Sequence, residues 1–410
     1  MGFFDIVAAL VTLVALFSWV NRRWIHLPTA IGLMLIALLF SLGLVVLGRL
    51  GVPVEQPFLE LVGSIDFGRA FLHGMLGAML FAGALHVEFD DLMAERHSIS
   101  ILATAGVLLS TAMIGGASWW MLKLLDVPIS LTACLLFGAL MAPTDPIAVL
   151  AILRDAGVPK ALETKLVGEA LFNDGVGVVL FLLIADFASA GHAAGVSDAL
   201  LLGLRETAGG IAYGGLLGAA AFRILKSVDD YAVEILVTLA VVTGGYALAE
   251  HLRVSGPLAM VVAGLLLGNR GREQAMSQNT RERVDGFWEL VDAFLNATLF
   301  VLIGLEVVAL DFDPRSLAAG LVAIPLVLAS RFLAIGGLVL LLRRWQAFEP
   351  HSVKILTWSG LRGGISVALA LSLPHGPERD LILATTYLVV SASILVQGLT
   401  LGRLVRFLRA

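Results

Sequence analysis

Long apolar runs recur from one end of the chain to the other, separated by short polar segments. A run of about 20 apolar residues is long enough to cross a bilayer as an α-helix. The chain is therefore predicted to be an all-α polytopic membrane protein, a single membrane domain over residues 1–410 without a soluble domain. The pattern predicts thirteen spans, near residues 3–20, 27–48, 67–87, 98–122, 130–152, 160–187, 198–225, 231–250, 255–268, 283–308, 315–342, 352–373 and 379–402.

Two of the predicted spans contain residues that interrupt a helix. Span five carries Pro143 and Pro146, and each proline removes an amide donor and disfavours helix at the residue before it. Segment 142–145 should therefore be extended, with free carbonyl groups. Span twelve carries three glycines close to Arg362, which weaken the helix there. Because non-helical backbone at membrane depth is tolerated only inside protein or along a cavity, both breaks point to an internal site.

The two interrupted spans lie seven spans apart, which predicts an internal repeat. Spans one to six, about residues 3–187, would form the first repeat, and spans eight to thirteen, about 231–402, the second. Span seven, about 198–225, would link them. Because the second repeat starts on the other side of the membrane, the repeats would be inverted, with the broken helices crossing and the substrate site at the bilayer midplane. The two halves share no clear sequence identity, so this prediction rests on spacing alone.

Charge is scarce and unevenly placed. Charged residues make up 14% of the chain and hydrophobic residues 59%. Alternate connecting segments carry seventeen and six of the Lys and Arg residues, and four more lie within spans. This bias follows the positive-inside rule if the N-terminus lies outside and the C-terminus in the cytoplasm. No basic tract points to nucleic acid, and the single cysteine, Cys134, excludes an internal disulfide and a cysteine metal cluster.

Span six carries acidic and amide side chains in an otherwise apolar and small-residue segment. Its central sequence, GEALFNDGVGVVLF, contains Glu169, Asn173 and Asp174. Charged groups at this depth are costly and usually face a partner or a water-filled path. In a helix, Glu169 and Asn173 share one stripe, and Asp174 lies on the neighbouring stripe. We interpret this span as the wall of an ion site inside a membrane bundle.

Three segments together resemble the signature segments of NhaP-type sodium/proton antiporters, a family that includes the animal sodium/hydrogen exchangers. They read TDPIAVLAIL, GEALFNDGVGVVLF and WSGLRGGISVALALSLP, and LFAGALHVEFDDL in span three is also similar to that family. The resemblance covers essentially the whole chain. It implies a homodimeric antiporter of the inner (plasma) membrane, active in pH homeostasis, that exchanges sodium or lithium for protons without a cofactor.

Three alternatives stay open beside sodium/proton exchange. The closest is potassium/proton exchange by the same machinery. A cation channel is more remote, because channels tend to show repeated filter segments or rings of residues from several subunits. An intramembrane enzyme would need a nucleophile and a base, and the sequence shows no such pair, so the protein is not expected to be an enzyme.

The resemblance also implies which residues bind the ions. Asp174 is the candidate carboxylate that takes up either a proton or a cation. Asp145 and Thr144, at the break in span five, would supply further oxygen ligands for Na⁺ together with unwound carbonyls. Thr144 could instead cap the second half of its helix, and Asp145 could be a cap or a partner of Arg362.

Four further residues are expected to support this site. Asn173 would steady it without carrying charge, and Arg331 in span eleven would pair with Glu169. Arg362 would stabilise the crossing of the broken helices by facing carbonyl ends. The family commonly has a serine where this chain has Ala170, so one hydroxyl ligand is lost or replaced by water.

The ratio of protons to cations in one transport cycle depends on how many carboxylates exchange a proton for a cation. The motif on span six contains one acid, Asp174, next to Asn173. If Asp174 alone exchanges a proton for a cation, each cycle moves no net charge and the exchange is one for one. If Asp145 also releases a proton, the ratio becomes two to one.

Overall fold

The fold is known from a computed structural model that describes residues 3–50, 68, 70–145, 147–189, 196–309, 313–346 and 348–409. Within these residues the regular backbone structure is helical, apart from one β-bridge between Asp145 and Leu361. We label the main helices α1 (Phe3–Val20), α2 (Thr29–Arg49), α3 (Leu76–Leu85), α4 (Phe89–Ala94), α5 (Arg96–Leu124), α6 (Leu131–Met141), α7 (Ile147–Asp155), α8 (Lys160–Ser189), α9 (Val196–Leu225), α10 (Tyr231–His251), α11 (Gly256–Leu266), α12 (Gln278–Glu306), α13 (Pro314–Leu342), α14 (Ser352–Trp358), α15 (Gly364–Leu371), α16 (Pro377–Ala392) and α17 (Gly398–Arg409).

All thirteen predicted spans coincide with described helices. Nine helices of the described residues are long and apolar enough to cross a membrane, and α3, α6 and α11 are shorter apolar helices. Span three begins with a π-helical turn, Ala70–Met75, that leads into α3; its predicted start at residue 67 lies outside the described residues. Spans five and twelve are each split in two, as α6 and α7 and as α14 and α15.

Side-chain caps define several of the helix starts. The Ser130 hydroxyl accepts a hydrogen bond from the amide of Ala133 at 3.1 Å, at the start of α6. The Asp313 carboxylate accepts one from the amide of Ser316 at 2.8 Å, at the start of α13. Such caps satisfy amides at the first turn that have no partner within the helix.

The helices pack in two groups. One group contains α5, α6, α8, α13 and α16 with the half-helices α7, α14, α15 and α17, and the other contains α1, α2, α3 and α9 to α12. The groups meet where α8 contacts α3, α9 and α11, where α2 contacts α7, and where α12 contacts α15. The first group thus holds predicted spans four to six and eleven to thirteen, three from each predicted repeat. The inverted relation between the repeats stays a prediction.

Apolar side chains are exposed on the outside of the bundle, whereas several charged side chains are buried inside it. Leu216 and Leu340 are 73% and 71% exposed, whereas Glu169, Arg331 and Arg362 are at most 4% exposed. Helices that are apolar on all sides are typical of membrane spans, because lipid solvates their outer faces. The chain is therefore a multi-pass membrane protein.

Candidate ion-binding site

The two broken helices contact each other at their breaks. The amide of Asp145 donates a hydrogen bond of 2.8 Å to the carbonyl oxygen of Leu361, which forms the antiparallel bridge. Pro143 ends α6 because it has no amide to donate. The predicted role of Pro146 lies outside the described residues. On the other side, helix stops after Trp358 and resumes at Gly364. The crossing thus brings four half-helix ends to one place.

Arg362 closes the carbonyl end of α6. Its Nη1 donates to the carbonyl oxygens of Ala142 at 2.7 Å and Pro143 at 2.9 Å, and the side chain is 2% exposed. A helix C-terminus leaves carbonyls without partners and carries partial negative charge, so a guanidinium is stabilising there. The prediction of free carbonyls is therefore wrong for these two residues. Ala142 also keeps helical dihedral angles, with φ −74° and ψ −42°, so the non-helical backbone begins only at Pro143.

Asn173 holds Thr144 through two hydrogen bonds. Its Nδ2 donates to the Thr144 hydroxyl at 3.0 Å, and its Oδ1 accepts from the Thr144 amide at 3.4 Å. Both side chains are buried, at 1% and 4% exposure. The hydroxyl therefore bonds to α8, and it still has a second lone pair for another partner.

Asp174, Asp145 and Thr144 line one cavity. Its volume is about 110 Å³, which is enough for a cation with a few water molecules. Asp174 is 8% exposed and Asp145 is partly buried. The three predicted cation ligands therefore face a common space, in which oxygen atoms from α8 and from the break between α6 and α7 can converge on one ion.

Gly363 allows the second break to lie directly against Asp145. A Cβ atom at position 363 would lie 2.8 Å from the Cβ of Asp145 and 2.9 Å from its Oδ2. Real Cβ atoms do not approach other atoms this closely without displacement. Any other residue at this position would push the Asp145 carboxylate away, so the glycine does more here than weaken a helix.

Glu169 and Arg331 form a buried ion pair outside the cavity that contains Asp174. Arg331 Nη1 lies 3.1 Å from Glu169 Oε1. The Nε and Nη2 of Arg331 donate to the carbonyl oxygen of Leu356 at 3.2 and 3.0 Å. One guanidinium thus connects α8, α13 and α14. The expected contact between Glu169 and Arg331 is present.

Ala170 borders a different space. It is 2% exposed and lines a gap of about 10 Å³ together with Thr144, Asp145 and Ser359. Thr144 and Asp145 also line the larger cavity, whereas Ala170 does not. A serine at position 170 would therefore lie beside Thr144 and Asp145 but outside the lining of that cavity.

Three polar residues lie at the crossing that the sequence analysis does not predict as site residues. Ser366 of α15 lines the cavity with Asp174. Ser393 accepts a hydrogen bond of 3.1 Å from the amide of Arg362, and Gln397 donates one of 3.4 Å to the carbonyl oxygen of Trp358. Ser393 and Gln397 belong to a π-helical turn between α16 and α17. Such turns often occur at functional sites, but single serines in small-residue segments give no distinct sequence signal.

Comparison with known proteins finds relatives over nearly the full length. The family described as sodium/hydrogen exchanger, transmembrane, matches residues 9–407. The Na⁺/H⁺ antiporter NhaP of Pseudomonas aeruginosa is 50% identical over 98% of this chain and 96% of its own length. The Na⁺/H⁺ antiporter NhaH of Halobacillus dabanensis is 34% identical over 99% of this chain and 98% of its own length.

A solved structure shares the fold. The sodium proton antiporter MjNhaP1 from Methanocaldococcus jannaschii superimposes with a TM-score of 0.77 over 100% of this chain and 99% of its own. Its sequence identity is 19%, so this match bears on the fold alone.

Proposed function

The chain belongs to the sodium/hydrogen exchanger family, and from this premise we propose that it exchanges sodium ions for protons across the membrane. The observation that carries the proposal is the cavity shared by Asp174, Asp145 and Thr144 at the crossing of the two broken helices. Relatives that are named Na⁺/H⁺ antiporters and match nearly the whole chain support the choice of ions.

Exchange proceeds by competition at Asp174. In its ionised form the carboxylate binds Na⁺ with oxygen atoms of Asp145 and Thr144, since unwound backbone and carboxylates at helix breaks suit alkali cations. When Asp174 is protonated, its side chain is neutral and no longer attracts the cation, which is then released. Li⁺ is a second substrate by the same chemistry. No cofactor takes part, because one carboxylate carries both ions in turn.

The other polar side chains of the crossing hold the site in place. Asn173 positions Thr144, Arg362 closes the carbonyl end of α6, and the Glu169–Arg331 pair keeps its charges fixed through the cycle. Alternating access follows if the helix group that contains the crossing moves against the other group. The most extensive helix contacts, such as α5 with α6 and α9 with α11, lie within the groups rather than between them, which supports that division.

Location and assembly are part of the proposal. The bias of Lys and Arg supports an N-terminus outside and a C-terminus in the cytoplasm of a cell whose inner membrane holds the protein. The family resemblance supports a homodimer and a role in pH homeostasis. Potassium/proton exchange is the alternative, because Ala170 supplies no hydroxyl beside Thr144 and Asp145, where the family commonly has a serine, and this changes the set of oxygen ligands.

Purified protein in proteoliposomes tests the exchange directly. Vesicles with an acidic lumen and a pH-sensitive dye receive NaCl, LiCl and KCl in turn. We expect Na⁺ and Li⁺ to release protons from the lumen and to restore dye fluorescence, and K⁺ to leave it unchanged. A response to K⁺ alone would favour the alternative, and no response to any cation would refute cation/proton exchange.

Exchange is expected to be electroneutral. One carboxylate that carries one proton one way and one monovalent cation the other moves no net charge. A net charge would couple transport to voltage by about 2.3 kcal/mol per 100 mV, which corresponds to about a 50-fold change in the balancing sodium ratio. The sodium gradient at which proton flux reverses should therefore not shift when a potassium diffusion potential is imposed. A shift would show that a second group, with Asp145 the first candidate, also releases a proton.

A further inference from the structure

The hydroxyl of Ser366 lies at the wall of the cavity that Asp174, Asp145 and Thr144 line. The residue is 1% exposed and lines the cavity of about 110 Å³ together with Asp145 and Asp174. Its Oγ has no hydrogen-bond partner among the residues that the structure describes. Buried polar atoms are nearly always paired, so an unpaired hydroxyl at the wall of the cavity that Asp145 and Asp174 also line indicates a partner that occupies the cavity.

The break in span twelve places this hydroxyl directly after non-helical backbone. A serine or threonine within a helix often bonds to the carbonyl three or four residues before it. Thr298 in α12 and Thr104 in α5 do so, donating to the carbonyl oxygens of Phe294 at 2.9 Å and Ser100 at 2.6 Å. Ser366 is the third residue of α15, so its preceding carbonyls belong to the non-helical segment 359–363.

We propose that Ser366 is a ligand of the transported monovalent cation, an assignment that rests on the exchange function proposed above. The neutral hydroxyl oxygen offers lone pairs to a hard cation, but it carries no charge and does not titrate in the physiological range. It therefore favours the cation-bound state over the protonated state of the same site. The ligands then come from three places, namely the break before α7, helix α8 and helix α15.

Ser366 also supplies a hydroxyl oxygen in place of the one that is missing at Ala170. Residue 170 supplies no side-chain oxygen and lines the small gap beside Thr144 and Asp145. Ser366 approaches from the second broken helix, within the larger cavity. The oxygen that is missing from α8 is thus provided by α15, and the coordination of the ion shifts toward the second break.

Replacement by alanine tests the assignment. In Ser366→Ala, the apparent KM for Na⁺ should rise about 5- to 10-fold, the size expected for the loss of one neutral polar interaction, with kcat within about 2-fold of wild type. The pH dependence of proton release at saturating Na⁺ should not change, because the hydroxyl does not bind the proton. In Ser366→Cys, which keeps the size but offers soft sulfur, KM for Na⁺ should rise as in the alanine variant.

Ser118→Ala is the matched control. Ser118 on α5 is also a buried serine without a hydrogen-bond partner among the described residues, but it lines a separate small cavity near Cys134. Its replacement should leave KM unchanged. If Ser366→Ala keeps the wild-type KM, if Ser366→Cys restores it, or if Ser118→Ala raises it equally, the hydroxyl acts through packing or not at all, and the assignment is wrong.

Melting temperature in increasing NaCl provides a readout that does not need transport. A bound cation stabilises the folded protein, so the wild type should melt at higher temperature as Na⁺ rises. The half-saturating Na⁺ concentration should rise about 5- to 10-fold in Ser366→Ala and stay unchanged in Ser118→Ala. If wild type binds Na⁺ in this way but moves no protons, the exchange function fails while the ligand assignment stands. An unchanged half-saturation in Ser366→Ala overturns the assignment.

Discussion

Asp174→Asn is expected to abolish sodium-driven proton movement and to leave the protein folded and inserted. Asparagine keeps the shape of the side chain but can neither release a proton nor carry the negative charge that binds a cation. Flux in proteoliposomes should therefore fall to the level of vesicles without protein. The melting temperature without Na⁺ should stay at or above that of wild type, because a buried charge has been removed.

Asp186→Asn is the matched control for this variant. Asp186 lies on the same helix, about 18 Å further along its axis, and its side chain is exposed. The same chemical change there should leave exchange intact. Sodium-dependent proton flux retained in purified Asp174→Asn would refute the competition mechanism.

Breaking the Glu169–Arg331 pair should cost more stability than replacing Asp174 or Ser366. Glu169→Gln or Arg331→Met leaves one charge buried without its partner, at a cost of about 3–5 kcal/mol. The double variant should cost less than the sum of the two, with a coupling energy of about 2–3 kcal/mol. The apparent affinity for Na⁺ should change less than stability, because neither residue lines the cavity. Denaturing-detergent titrations of the four proteins measure the cycle.

An exposed pair of the same chain provides the comparison. Arg154 and Glu163 lie 2.7 Å apart, but the arginine is 67% exposed. Water and salt screen such a pair, so the corresponding cycle should give a coupling of about 0–1 kcal/mol. Equal coupling in the two cycles, or strict additivity in the buried one, would mean that Glu169 and Arg331 do not act as a unit.

Arg362 limits the backbone oxygens that the proposed site can offer to a cation. The carbonyls of Ala142 and Pro143 already accept hydrogen bonds from the guanidinium, so each keeps only one further lone pair. In the proposed site the side-chain ligands are Asp174, Asp145, Thr144 and Ser366.

The amino-acid sequence by itself determined the helical spans, the two broken helices and the polar span six. Span length, proline and clustered glycine act over a few neighbouring residues, so their consequences can be worked out without knowing the rest of the fold. The cost of a buried charge also pointed to Glu169 and Asp174, because each needs a partner or a water-filled path wherever it lies. Arg331 was identified as the partner of Glu169 through the resemblance to the antiporter family.

Only the tertiary structure decided which groups meet at the crossing. Arg362 reaches the carbonyl of Ala142 across 220 positions of the chain, and Asn173 of α8 donates to Thr144 in the break between α6 and α7. Whether Ser366 is an ordinary helix serine or faces the cavity depends on where α15 begins and on what packs against it. These outcomes depend on how whole helices pack against one another, and a hydrogen bond between distant segments leaves no local pattern in the sequence from which it could be predicted.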